Sequence, residues 1–445
     1  MLWNGQLAIS RNALDVLPSP GCCPISCCVL DCRIMRLNRI HYGWIMALVS
    51  AGIMAACSLS VYTFGVFLEP LEAVFGWNRG PLSLAPSIAY LVAGFLAMGT
   101  GKLSDKHGPR VLVSLGGVMM GAGFVLMSRV SALRDTYIFW GLFMGLAFAC
   151  FISPLISTIP RWFAQKRGIA VSIQTTGFGI GAVVSPLLAQ TLISTYGWQK
   201  AFVVLGVVAW AIIIPLAQLI KKSPADMGQR PYGESEDAED QAAEVALEGV
   251  SLAQAVRGLS FWISGAIWFL WFFCLQAIAV HIVPHATGSG ITAIAAASIL
   301  SVIAGCSIVS RASMGFISDK LGARQALSLC LVLATLALVW LIFVREMWAF
   351  YVFAIAFGLA YGGIIPLATL VPSELFGTKS LGVIIGALML YSTIGGAGGS
   401  PFAGYVFDTT GSYQAALPVL AVISLLAALL GVVLAKHAGK KTRDS

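Results

Sequence analysis

From Tyr42 onward the chain alternates between apolar runs of about twenty residues and short polar stretches rich in Gly, Pro and charge, and each run is long enough to cross a bilayer core of about 30 Å. The pattern predicts twelve helices. In the first half they cover Trp44 to Leu68, Ser83 to Leu103, Val111 to Val130, Tyr137 to Ile156, Gly168 to Ile193 and Ala201 to Ile220. In the second half they cover Phe261 to Val283, Thr292 to Ile317, Gln325 to Val344, Met347 to Val371, Leu381 to Phe407 and Ala415 to Leu434. No comparable run occurs before residue 42, so 1–41 reads as a leader without a signal-peptide core. The fold class expected is an all-α integral membrane protein.

The twelve runs divide into two copies of one unit. Gly101 to Arg110, GKLSDKHGPR, aligns without a gap on Gly315 to Arg324, GFISDKLGAR, at an offset of 214 positions. Gly197 pairs with Gly411 and Ala201 with Ala415 at the same offset, and the Ser185-Pro186 step pairs with Ser400-Pro401 at 215. A repeat nearly half the chain long implies two six-helix units. The domains expected are therefore a leader (1–41), an amino-terminal half (42–220), a linker (221–259), a carboxy-terminal half (260–436) and a tail (437–445). Seven acidic residues between Glu234 and Glu248 make the linker a solvated connection between halves that move relative to each other.

Composition agrees with the pattern. With 58% hydrophobic and 10% charged residues and a mean hydropathy of +0.88, the chain cannot be a soluble globule, in which about 25% of residues are charged. The net charge of +8 does not point to nucleic acid, because the basic residues are scattered singly between apolar runs. Their placement is a topology signal. With the amino terminus inside, twenty-one Lys and Arg fall on the cytoplasmic side, five on the other, and one, Arg311, inside a helix. Both termini are thus expected in the cytoplasm, at the cell (plasma or inner) membrane. Five of the ten cysteines (Cys22, Cys23, Cys27, Cys28, Cys32) cluster in the leader, without zinc-ligand spacing. The others stand in separate apolar runs as small core residues.

Arg311 is the sharpest feature. It lies eight positions before Asp319, so about 12 Å of helix separates it from the membrane edge. An arginine at such depth costs about 2.5–3.5 kcal/mol on insertion scales. Apart from Leu300 and Ile308, its helix face is small and partly polar (Ala297, Ser301, Ala304, Ser307, Gly315), as a cavity lining should be. All nineteen acids fall at helix ends or in loops, so no carboxylate sits mid-membrane to neutralise it. The cargo is then expected to supply the negative charge, as a small organic anion held by paired hydrogen bonds to the guanidinium. Polar residues deep in other helices complete the candidate site: Tyr62, Gln174 with Thr175, His281, Tyr361 and Tyr391. His281 is the one group titrating near neutral pH with a prospect of reaching the cavity.

The repeated turn has its own chemistry. Gly101 and Gly315 allow close helix approach, Asp105 and Asp319 can accept from backbone N–H groups at a neighbouring helix start, and Lys106, Arg110, Lys320 and Arg324 can pair with them. The two copies of G-x-x-S-D-K-x-G-x-R, which include Gly108 and Gly322, resemble the loop signature of the major facilitator superfamily. The resemblance covers Tyr42 to Leu434, and it implies that these turns latch the cytoplasmic side shut when the outside is open. FGW at Phe75 to Trp77, RWFAQKRGIA at Arg161 to Ala170, YGW at Tyr196 to Trp198, KKSPADMG at Lys221 to Gly228, and Arg311 resemble the branch holding the monocarboxylate transporters and oxalate/formate exchangers.

Two departures from that branch bear on coupling. Its proton-linked members carry a lysine in the first helix and an aspartate one turn before the arginine, where this chain has Tyr62 and Ser307. Its oxalate exchangers carry a lysine in the eleventh helix, and none lies between Leu381 and Phe407. Exchange, uniport, or proton symport through His281 all remain open. The function expected is secondary transport of a mono- or dicarboxylate by alternating access, by a monomeric unit in the lipid bilayer, without cofactor or catalysis. The alternatives are a permease for a drug or neutral metabolite and a substrate sensor that does not transport.

Overall fold

The computed structural model describes residues 41–233, 249–377 and 380–439. The leader cysteines, the acidic middle of the linker, Lys379 and the last residues of the tail lie outside them. Among the described residues twelve helices are long and apolar enough to cross a membrane, so the chain is a multi-pass membrane protein. They are α1 (Tyr42–Phe75), α2 (Arg79–His107), α3 (Pro109–Met127), α4 (Leu133–Trp162), α5 (Arg167–Tyr196) and α6 (Trp198–Gln218), followed by α7 (Leu259–Gly288), α8 (Ala293–Leu321), α9 (Ala323–Ile342), α10 (Met347–Phe376), α11 (Leu381–Thr410) and α12 (Ala416–Gly439). Each predicted span is found, most of them extended at one or both ends. The turns between α2 and α3 and between α8 and α9 are made by Gly108 and Gly322, both at φ +85°. A side chain there would be strained, which is why the repeated motif needs glycine at both places.

Short connections make successive helices antiparallel. The linker and the α2–α3, α4–α5, α8–α9 and α10–α11 turns share one side, called here the linker face. The linker is not solvated throughout. Tyr232 N donates to Trp162 O at 2.9 Å, and Val250 N donates to Phe376 O at 2.9 Å. Backbone bridges join Phe163 to Tyr232 and Gly377 to Gly249. Phe163 and Gly377 are 214 positions apart, so the two described ends of the linker are strapped to equivalent points on the two halves.

Within each half, glycines bring helices into backbone contact. A Cβ on Gly181 of α5 would stand 2.1 Å from Ala55 O of α1, and one on Gly395 of α11 would stand 2.1 Å from Phe269 O of α7. These two glycines also stand at the repeat offset. Across the seam, α2 packs on α11, α5 on α8, and the end of α1 on α7. The α2–α11 contact runs from Gly80 against Tyr405 to Gly94 against Thr393. Nearer the linker face, nothing described lies within 4 Å of where a Cβ would stand on Gly99, Gly168, Gly382 or Gly386. The halves therefore meet over the middle and the opposite face and part toward the linker face.

Free Cys57, Cys150, Cys274 and Cys330 are buried and Cys306 half-buried, each packed in a different helix as expected of small core residues.

Candidate functional site

The break in α1 sets the site. Ser58 Oγ donates to Ala55 O at 2.7 Å, Ser60 Oγ to Cys57 O at 2.8 Å and Thr63 Oγ1 to Leu59 O at 2.7 Å. These bonds compete with the helix ladder and kink it between Cys57 and Phe64. Tyr62 stands in that kink, against Ala182 of α5 and Ala304 of α8. Its hydroxyl meets the hydroxyl of Tyr361 from α10 at 2.9 Å. Tyr361 reaches this point because Gly362 lets α10 lie on α8, where a Cβ would stand 2.2 Å from Ser307 O.

Arg311 lies beside this pair, its Cζ 5.6 Å from the Tyr361 ring centre. Its Nη1 donates to Thr175 O of α5 at a long 3.4 Å. Its Nε is shut off from solvent without a hydrogen-bond partner. Among the described residues no carboxylate pairs with it. Ser307 cannot relieve the charge, since a hydroxyl carries none and its Oγ already donates to Ala304 O at 2.7 Å. Arg311 thus spans the seam between α5, α8 and α10 with one weak hydrogen bond and is under-satisfied for a cation at that depth.

Other candidates divide. Gln174, next in the chain to the carbonyl that Arg311 touches, is buried and neither atom of its amide has a partner. Tyr391 does not join Arg311. Its ring lies over Gly265 of α7 and against Phe261 and Trp262, nearer the linker face.

His281 does not reach the cavity either, because it stands well past the midpoint of α7. It is buried in the seam near the opposite face. Nε2 lies 2.8 Å from Ser400 O and therefore carries the proton, leaving Nδ1 to accept from Tyr413 Oη at 2.9 Å. Tyr413 in turn accepts from Arg79 Nη1 at 2.9 Å, and Arg79 Nε is paired with Glu72 at 2.8 Å. Asp408 accepts from Arg79 N at 2.8 Å and Gly80 N at 2.7 Å, capping α2 from the other half. This network closes the opposite face. Nothing local in the sequence pairs position 79 with 408 or 413, so the network is visible only in the folded chain.

Sequence reasoning also passed over Tyr90 of α2, which lies within electrostatic reach of the Tyr62 and Tyr361 hydroxyls. The signal was the one that singled out Tyr62, a lone hydroxyl in an apolar run.

At the linker face the turns are apart. Lys106, Asp319 and Lys320 are exposed, while the side chain of Asp105 and the surroundings of Gly315 lie outside the described residues. The expected pairing of Arg324 with Asp319 is replaced by Glu374 at the end of α10, whose carboxylate takes Arg324 Nε at 3.2 Å and Ala323 N at 2.9 Å. Glu374 thus takes the capping role at the start of α9. Arg110 Nε donates to Gln218 Oε1 at 2.8 Å.

Two pseudo-equivalent six-helix halves, in contact at one face and apart at the other with Arg311 on their seam, have the architecture of a membrane carrier. The Major Facilitator Superfamily model matches residues 48–397 and 299–444. The chain belongs to that superfamily, a class of transporters and not of enzymes. It is 28% identical over 386 residues to monocarboxylate transporter 13 of Rattus norvegicus, covering 85% of each chain. It is 26% identical over 397 residues to monocarboxylate transporter 11 of Homo sapiens (84% of this chain, 79% of the other). With the MFS transporter asaE of Aspergillus flavus it is 25% identical over 407 residues, covering 89% and 87%. Among solved structures, a bacterial homolog to the human lysosomal transporter Spinster, described as inward-facing and occupied, superposes with a TM-score of 0.69 at 14% identity, over 88% of this chain and 96% of that one. That likeness concerns the fold.

Proposed function

We propose that this carrier moves a small organic anion, a mono- or dicarboxylate, bound between Arg311 and the Tyr62–Tyr361 pair. The observation that carries the reading is the half-buried Arg311, whose Nε is shut off from solvent without a partner and which has no carboxylate against it among the described residues. A cargo carboxylate supplies two oxygens in the plane of the guanidinium fork, and the tyrosine hydroxyls donate to what remains of its lone pairs. Gln174, with both amide atoms free, offers a second polar contact for the rest of the molecule. The names of the relatives among monocarboxylate transporters support the same class.

The linker face is the cytoplasmic one in this reading, because among the described residues it gathers thirteen Lys and Arg against five opposite. The conformation is then open inward, with the Arg79–Tyr413–His281 and Asp408 contacts holding the outside shut. In the outward-open state the turns at Gly101–Arg110 and Gly315–Arg324 close on each other, and Asp319, exposed here, finds its partner. Both termini lie in the cytoplasm of a cell whose plasma or inner membrane holds a monomeric transport unit. Coupling is by exchange or by proton symport.

The test is uptake into proteoliposomes of a panel of mono- and dicarboxylates, with and without a proton gradient, by the native protein and by Arg311→Ala. Carboxylate uptake that disappears in the variant is expected. Carboxylate flux that survives the substitution overturns the cargo assignment, and uptake indifferent to a carboxyl group points to a permease for neutral compounds. Saturable binding without flux identifies a sensor.

A further inference from the structure

A second positively charged cavity lies on the opposite face, away from Arg311. It has a volume of about 440 Å³ and is lined by Arg79, Arg345, His285, Ser289, Ser412 and Phe407 among others. No Asp or Glu is part of its wall. The carboxylates nearby are each engaged elsewhere. Glu69 accepts from Thr287 Oγ1, Glu72 from Arg79 Nε, Asp408 from two backbone amides of α2, and Glu346 from Trp348 Nε1.

The cationic groups keep donors in hand. Arg345 is exposed and makes no hydrogen bond or ion pair among the described residues. Arg79 is bound through Nε and Nη1 and stacked on Phe407 at 3.8 Å, which leaves Nη2 without a protein acceptor. His285 packs on Tyr413 and Phe350, and its Nε2 is buried without a partner. Two guanidinium groups face one hollow, Arg345 unpaired and Arg79 with Nη2 left over after Glu72 takes its Nε, and with the His285 imidazole at the edge they form an anion-binding wall. The other walls are apolar (Phe407, Val344, Pro284), so the hollow suits an acid with a short hydrocarbon body better than a compact hydrated ion.

We propose that this cavity is a second site, on the face opposite the linker, for a small organic carboxylate held by Arg345, Arg79 Nη2 and His285 while that face is closed. It stands on its own residues and does not require that the central site take the same cargo. Arg79 is also a member of the network that shuts this face, so an anion drawn to Nη2 competes with Tyr413 and Glu72 for the same guanidinium. Filling the site thereby loosens the closure from outside, and the bound acid stands where it would enter once α2 and α11 part.

The experiment is equilibrium binding of labelled butyrate to purified protein carrying Arg311→Gln, which disables the central guanidinium, and to the Arg311→Gln/Arg345→Gln double variant. One saturable site is expected to remain in the first and to weaken at least tenfold in the second, with sulfate a much poorer competitor than acetate. Arg345 is exposed, so the thermal midpoints of the two should agree, which separates lost binding from lost fold. Absence of butyrate binding to the Arg311→Gln protein, or indifference to Arg345→Gln, overturns the proposal. Displacement by sulfate as readily as by acetate overturns the carboxylate assignment. Equal stoichiometry in native and Arg311→Gln protein would instead count against the central site while leaving this one standing.

Discussion

The hydroxyls of Tyr62 and Tyr361 meet at 2.9 Å across the seam between the two halves, beside a guanidinium with no carboxylate partner. One residue comes from the kink of α1 and the other from a tight α8–α10 contact, so the pair depends on both halves being in place.

Each hydroxyl has the other as its partner here, and in the proposed reading the cargo as its alternative. Tyr62→Phe and Tyr361→Phe should each weaken apparent affinity for the transported acid about three- to tenfold, the range of one net hydrogen bond. Because they share a single bond, the double variant should lose little more than the worse single one. Uptake kinetics of the four proteins decide this, and additive losses would mean the two act apart.

In the proposed reading Arg311 serves binding at a cost to the fold. Replacing it by methionine keeps the bulk and removes an under-satisfied charge, so the thermal midpoint of purified Arg311→Met should hold or rise, by the equivalent of about 1 kcal/mol or more. Uptake should fall by at least about thirtyfold, as expected when a charge-assisted contact worth about 2 kcal/mol is lost. A marked drop in midpoint would show the guanidinium to be structural.

Asp408 caps a helix belonging to the other half. Asp408→Ala should cost about 1–2 kcal/mol at the amino end of α2 and loosen the closed face. Ser83, wholly buried in the seam, reports on this. As Ser83→Cys, in a background without other reactive thiols, it should label several times faster when Asp408 is also replaced. Unchanged labelling would mean that the closure rests on packing alone.

The glycines fall into two groups with opposite expectations. Gly181→Ala and Gly395→Ala drive a methyl to 2.1 Å from a neighbouring carbonyl oxygen and should each lower the melting point of the solubilised protein by several degrees. Gly386→Ala meets nothing within 4 Å and should stabilise α11 by about 0.5–1 kcal/mol. Heating followed by size-exclusion chromatography separates the two. A destabilising Gly386→Ala would argue that α11 bends there as it works.

The chain's pattern by itself determined twelve spans, the division into two six-helix units and an isolated arginine. These are legible because they are local: hydropathy over twenty residues, a repeat at one offset, a lone charge in an apolar run. Tertiary structure decided who meets whom. It set Tyr361 and Tyr62 beside Arg311, left Tyr391 on α7, gave Arg324 to Glu374 instead of Asp319, and moved His281 from the cavity to a closed seam beside Arg79 and Tyr413. The physical reason is that in a membrane a helix is apolar toward lipid and toward its neighbours alike, so its rotation leaves little trace in the residue pattern. Partners 200 or 300 positions apart are chosen by backbone approach at glycines, and that becomes visible only when the helices are packed together.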